Sequence, residues 1–145
     1  MKAGARDPMR LVSVYRTKHA ATTLFKLLQS RGENVSISHK KPPDLQAHYR
    51  FVRSAPYKRW EFILVDTQCA GAIYLTDKQE IGIHLFPEFQ DKGYGSRAIK
   101  DFMKRYPSER FLANINPKNK RAAHVLETLG FKLLQHTYEK INEPE

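Results

Sequence analysis

Cysteine is nearly absent from this chain of 145 residues, where Cys69 stands alone. A single thiol excludes an intrachain disulfide and any cysteine-based zinc cluster. No apolar run approaches the ~18 residues that a membrane-spanning helix needs. The opening Met1-Lys2-Ala3-Gly4-Ala5-Arg6-Asp7-Pro8 has no apolar stretch of the kind a secretory leader uses, and the lipidation signals, a Met-Gly start or a terminal Cys box, are missing. From these absences we expect a cytoplasmic protein with no membrane partner and no bound metal.

Acids are also scarce, but only locally. Residues 1–60 hold 13 Lys and Arg against Asp7, Glu33 and Asp44, a surplus of ten that equals the net charge of the whole chain. Residues 61–145 hold 12 of each sign. A basic surplus so confined points to an acidic partner such as nucleic acid or a phosphorylated small molecule, or to a solvated basic face. The length suits one domain, 1–145, because two cores of about 70 residues would each barely offset their ordering entropy.

What is present is a regular alternation of apolar periods. Arg10 to Tyr15 reads as a first strand. Ala20, Ala21, Leu24, Leu27 and Leu28 then recur at three and four residues, predicting a helix from about Thr17 to Arg31 that stops at Gly32. Pro42-Pro43 breaks the chain, Asp44 can cap, and Leu45, His48, Phe51 and Val52 mark a second short helix. Trp60 to Val65, Ala70 to Thr76 and Glu80 to Phe86 are three strands with hairpin-length connections at Thr67-Gln68 and Asp77-Lys78. Ala98, Ile99, Phe102 and Met103 mark a helix that ends before Pro107, Phe111 to Ile115 a strand, and Lys120 to Leu129 a helix closed by Gly130. Phe131 to Tyr138 reads as a last strand. The predicted order is β-α-α-β-β-β-α-β-α-β, an α/β fold with a mixed, mostly antiparallel twisted sheet flanked by helices.

Gln90-Asp91-Lys92-Gly93-Tyr94-Gly95-Ser96 lies between a strand and a helix. Glycine lets the backbone approach a ligand, and free N–H groups at a helix start favour phosphate. A Walker A loop is excluded, since no Gly-Lys-Ser/Thr closes the segment. A Rossmann turn fits poorly, because six residues separate Phe86 from Gly93 and no ribose-binding acid follows at the right distance. A plain glycine loop opening a helix is the remaining structural reading.

Gln90-x-x-Gly93-x-Gly95, together with the element order, Asn116-Pro117-Lys118-Asn119 and the Leu129-Gly130-Phe131 ending, resembles the GNAT N-acetyltransferase superfamily over about residues 10–138. The resemblance implies acetyl-CoA as co-substrate. It implies that the backbone of Gln90, Asp91, Lys92, Gly93, Tyr94, Gly95 and Ser96 holds the pyrophosphate, with Lys92 and Arg97 adding charge, and that Ile83, His84 and Leu85 line the pantetheine arm. Asn116 and Asn119 are implied as contacts to that arm, while Asn119 is also a good cap for the helix that follows.

Acetyl transfer to an amine needs a base for the amine, a stabilised oxyanion and a proton for the leaving thiolate. By position, Glu80 resembles the superfamily's general base, and backbone N–H groups near His84 would serve the oxyanion. His84 is the rival base. Its face of the strand is shared with Glu80, yet at ~3.4 Å per residue the two are ~13 Å apart, too far to touch one amine without water between them. Many relatives supply the thiolate's proton from a tyrosine in the last helix. Here Leu126 stands at that place, as in branches that acetylate protein N-termini and some amino sugars, which leaves Tyr138 as a substitute.

The resemblance implies that the first two helices and adjoining loops wall the acceptor, and that is where the basic surplus lies. Arg50, Arg53, Lys58, Arg59 and Trp60, with the aromatics among them, suit a phosphate-bearing acceptor. The expected reaction is acetylation of a primary amine on an anionic acceptor, such as a nucleotide-linked amino sugar, an acidic peptide or a nucleic-acid-associated amine. The alternative is a nucleic-acid-binding module that keeps the fold with little or no turnover. A monomer or a homodimer fits either.

Overall fold

The computed structural model describes residues 7–31 and 44–144. Strand β1, Met9–Ser13, passes through one 3-10 turn, Val14–Arg16, into α1, Ala20–Gln29. Helix α2, Leu45–Arg53, precedes β2, Arg59–Val65, β3, Gln68–Leu75, and β4, Glu80–Leu85. A second 3-10 turn, Pro87–Phe89, leads to α3, Tyr94–Arg105, then β5, Leu112–Ala113, and α4, Lys120–Thr128. The sheet order is β1-β2-β3-β4-β5. Its first four strands pair antiparallel, and β5 joins β4 in parallel.

Period-two alternation sorts the strand residues onto the two faces of the sheet. Ile63, Val65, Ile73, Leu75 and Ile81 pack with Tyr94, Ala98, Ile99 and Phe102 of α3. Trp60, Phe62 and Ala72 pack on the other face with Val14 and with Ala20, Leu24 and Leu27 of α1. Burying Leu24 and Leu27 stabilises the fold by roughly 1.5–3 kcal/mol each. Asp44 caps α2 as expected, its carboxylate accepting from the Ala47 N–H at 2.7 Å.

Four sequence expectations change. The first strand ends at Ser13 because residues 14–16 form the 3-10 turn, and the first helix starts at Ala20 rather than Thr17 because His19 takes the left-handed conformation, φ 60°. The β2–β3 turn falls on Asp66-Thr67, with Asp66 at φ 54°, so Gln68 already belongs to the strand. Phe111 to Ile115 contributes only two paired residues, because β5 diverges from β4 after Ala113. The predicted last strand is not formed. Residues 131–144 are irregular, with Leu133, Leu134, Tyr138 and Ile141 exposed, and a strand needs a neighbouring backbone that no described strand provides there. The expected stop at Gly32 and break at Pro42-Pro43 lie outside the described residues.

Candidate active site

The hydrogen-bond alternation of β4 sets up the site. Thr76 donates its N–H to the Glu80 carbonyl, and Phe86 donates to the Ala70 carbonyl, so the backbone groups of even-numbered residues turn toward β3. Those of Ile81, Ile83 and Leu85 turn toward β5. Leu112 donates to the Gln79 carbonyl at 2.9 Å on that side, yet pairing ends at Ile81 opposite Ala113. Beyond it, neither Ile83 nor Leu85 has a strand partner on that side among the described residues.

The glycine loop lies beyond the end of this stretch. The Gln90 side chain donates to the Leu85 carbonyl at 3.0 Å and accepts from Arg121 at 2.8 Å. Arg121 also forms an exposed ion pair with Asp91 at 2.8 Å, tying the loop to α4. Asp91 and Gly93 take positive φ, 61° and 86°. Gly93 is the N-terminal flanking residue of α3, with no side-chain cap. The first-turn N–H groups of α3 are therefore available to an anion. A Cβ at Gly93 would meet nothing within 4 Å, so the conformation, not crowding by the chain, calls for glycine there. Lys92 is exposed on the loop.

Two loop side chains are committed elsewhere. Tyr94 is buried, its hydroxyl donating to the Asp7 carboxylate at 2.7 Å, and Arg97 donates to the Asp7 carbonyl at 2.6 Å. Only the backbone of Tyr94 remains for a ligand, and the expected charge contribution of Arg97 is spent on β1's approach. Asn119 accepts from the Ala122 N–H at 3.1 Å, which is the capping role. Asn116 accepts from the Lys118 N–H at 2.9 Å, building the turn before α4.

Glu80 opens β4 with both carboxylate oxygens engaged. One accepts from the Thr76 hydroxyl at 3.1 Å and the other from the Asn114 amide at 2.6 Å. Asn114, just past β5, is a functional neighbour that sequence reasoning missed. His84 lies on the same face. Burial, and then the positive charge of Arg31, push its pKa down to about 4, so its imidazole is neutral at physiological pH.

Between Glu80 and His84 stands Gly82, opposite Tyr74 in the β3–β4 register. A Cβ on Gly82 would fall inside the Tyr74 ring, so the phenol lies directly across β4. Tyr57 stacks on it, the ring centroids 3.8 Å apart and the planes within 7°. Burial raises the pKa of both phenols, that of Tyr57 well above the usual range. The Tyr15 hydroxyl pins Tyr57 by donating to its carbonyl at 2.8 Å. The residue types of this aromatic wall were visible in the sequence, but the stacking across three elements was not.

The five residues expected at the acceptor do not come together. Arg50 and Arg53 are exposed on α2, lining with Gln46 and Tyr49 a shallow depression of about 390 Å³. Lys58 donates to the Gln79 side chain at 3.3 Å. Arg59 sits on the opposite face of the sheet, 4.9 Å above the Tyr106 ring, and Trp60 is 6% exposed, edge-on to Tyr15, Phe51 and Tyr57. Consecutive strand residues point to opposite faces, so Arg59 and Trp60 cannot share a surface. Tyr138 is 92% exposed in the irregular tail. Leu126 packs on the α3 side of the core. Among the described residues no cluster of side chains suits a metal ion, and no helix is long and apolar enough to cross a membrane.

A strand without a β5 partner at its end, running into a glycine loop and a helix N-terminus, defines a site for a long ligand with a phosphate group. The acetyltransferase (GNAT) domain family matches residues 10–132, and the chain belongs to that family. Solved structures agree at the level of fold. A domain from Methanocaldococcus jannaschii is 19% identical with a TM-score of 0.78, over 92% of this chain and 94% of that one. RimL, a ribosomal alpha-N-protein acetyltransferase in complex with coenzyme A, is 14% identical with a TM-score of 0.71, over 92% and 85%. The microcin self-immunity acetyltransferase MccE, in complex with acetyl-CoA and AMP, is 18% identical with a TM-score of 0.63, over 87% and 79%. A search of curated proteins gave no significant match.

Proposed function

We propose that this acetyl-CoA-dependent N-acetyltransferase acetylates a primary amine on an anionic acceptor by direct attack, with Glu80 as general base. The observation that supports the reading best is that β5 pairs with β4 no further than Ile81, so that the strand runs on from Ile83 to the loop Gln90–Ser96 without a β5 partner. The pantetheine arm pairs along that stretch, and the pyrophosphate takes the free N–H groups where α3 begins. Asn116 and Asn119 shape the turn that borders the arm.

The chemistry then follows from position. The thioester carbonyl accepts from an N–H of β4 on the β5 side, which stabilises the oxyanion as it forms. Glu80, held by Thr76 and Asn114, takes the amine's proton directly or through water. His84, uncharged, contributes backbone and shape. Arg50 and Arg53 on α2 attract the acceptor's negative charge, and a nucleotide-linked amine suits them, in keeping with the AMP held by MccE. The burial of Trp60 and the outward turn of Arg59 weigh against the nucleic-acid-binding alternative, which needs basic and aromatic side chains on one surface. Dependence on acetyl-CoA and the single Cys69 fit a cytoplasmic place of action.

Thiol release from acetyl-CoA, followed across a panel of neutral and anionic amines, tests the proposal. Turnover is expected with anionic amines above neutral ones, and calorimetry should register acetyl-CoA binding to the free protein. Absence of both binding and turnover would sink the reading.

A further inference from the structure

The leaving group of this reaction is a thiolate, and its protonation has no assigned donor. Leu126 is apolar, Tyr138 points into solvent, and His84 is neutral, so none of the three delivers a proton at physiological pH. Tyr74 is differently placed. Its ring occupies the space that a side chain on Gly82 would fill, so its hydroxyl lies over β4 between Glu80 and His84. Ile83, whose N–H turns toward the β5 side, is the next residue along the backbone. We propose that Tyr74 is the proton donor to the leaving thiolate, with Tyr57 as its positioning residue. This rests on the acetyl-transfer reading above.

Two features prepare the phenol. The stacked Tyr57 fixes the plane of the Tyr74 ring. Burial keeps the Tyr74 hydroxyl protonated until the thiolate forms, and the positive charge of Arg31 favours the phenolate left behind. The step balances. The amine nitrogen bonds to the carbonyl carbon, Glu80 accepts the nitrogen's surplus proton, and the C–S bond breaks with its electron pair on sulfur. Sulfur then takes the Tyr74 proton, and the phenolate recovers one from Glu80 through water. The products are the amide and the free thiol, with both side chains restored.

The test separates a proton donor from a structural ring. Tyr74→Phe keeps the stacking and removes the hydroxyl, and we expect kcat with acetyl-CoA to fall about 100-fold or more, with acetyl-CoA affinity by calorimetry unchanged. Aryl thioacetates with progressively more acidic thiols need less protonation, so the deficit of Tyr74→Phe in kcat/KM should shrink toward parity along that series. Gly82→Ala, which drives the ring off the strand, should reproduce the loss. A deficit that is the same for every leaving group, or no deficit, overturns the donor role while leaving the acetyltransferase reading intact. A wild-type protein that releases no thiol with any amine overturns both.

Discussion

Glu61 places a carboxyl group inside the core. It is a carboxylate 2% exposed on β2, and its Oε2 has no partner among the described residues. Its other oxygen accepts from the Tyr106 hydroxyl, whose ring lies under Arg59 at 4.9 Å and Arg105 at 5.6 Å. Removing the hydroxyl leaves the buried carboxyl group of Glu61 without that partner, and Tyr106→Phe should destabilise the protein by about 1–3 kcal/mol. Urea unfolding measures this, and a loss within error would show that Glu61 is hydrated instead. A second effect at this scale depends on pH. With its folded pKa near 4 against an ordinary 6.5, His84 stays neutral in the folded state while the unfolded chain takes up a proton. Above about pH 6.5 it exerts no pull on folding. Stability then declines as pH falls toward 4 and levels off below, by at most about 3 kcal/mol. Burial lowers the pKa of His48 as well, with the same sign. Unfolding at pH 7 and at pH 4.5 should therefore differ less in His84→Gln than in the wild type. Equal differences would place the pH sensitivity elsewhere.

At the scale of elements, the loop before α3 joins stability to binding. Gly93 holds φ 86°, where an L side chain costs roughly 1–2 kcal/mol. Gly93→Ala should thus lower the melting temperature and weaken acetyl-CoA together, whereas Asn119→Ala, which removes only the cap of α4, should cost about 1 kcal/mol of stability and little affinity. Parallel thermal melts and calorimetry distinguish the two. The loop was legible in the sequence because local rules govern it: glycines at fixed spacing, a strand before and a helix after. Glu80 and His84 were legible on one face by period two, and Asn119 by its capping chemistry. What escaped is non-local. Nothing in the spacing of Tyr57 and Tyr74 says that their rings stack, since that depends on Gly82, opposite Tyr74 on the neighbouring strand. The run from Arg50 to Trp60 looked like one surface because a line of letters does not reveal where α2 ends and β2 begins to alternate. Residues 131–138 have the pattern of a strand, but pattern alone does not supply the neighbouring backbone.

For the whole molecule the governing quantity is the distribution of charge. The surplus of ten falls entirely within residues 1–60, yet the structure divides it. Arg59 is engaged with Tyr106 on the α3 face, and Lys58 with Gln79, whereas Arg50 and Arg53 stand exposed on α2 beside the shallow depression. Charges of the last kind act at long range on an approaching anion, raising its local concentration without any tight contact, and salt screens them over about 8–10 Å. If they steer the acceptor, KM for an anionic amine should rise several-fold between low and high ionic strength, while KM for a neutral amine stays flat. The double variant Arg50→Glu, Arg53→Glu should raise the anionic acceptor's KM at low salt and remove most of its salt dependence. Neither kcat nor acetyl-CoA affinity should move, because charges of this kind act on the approach of the acceptor and not on the chemical step. Steady-state kinetics at two salt concentrations with each class of amine decides the matter. A salt response that survives in the double variant would mean that the attraction comes from other basic residues, Arg31 beside the aromatic wall being the first to replace.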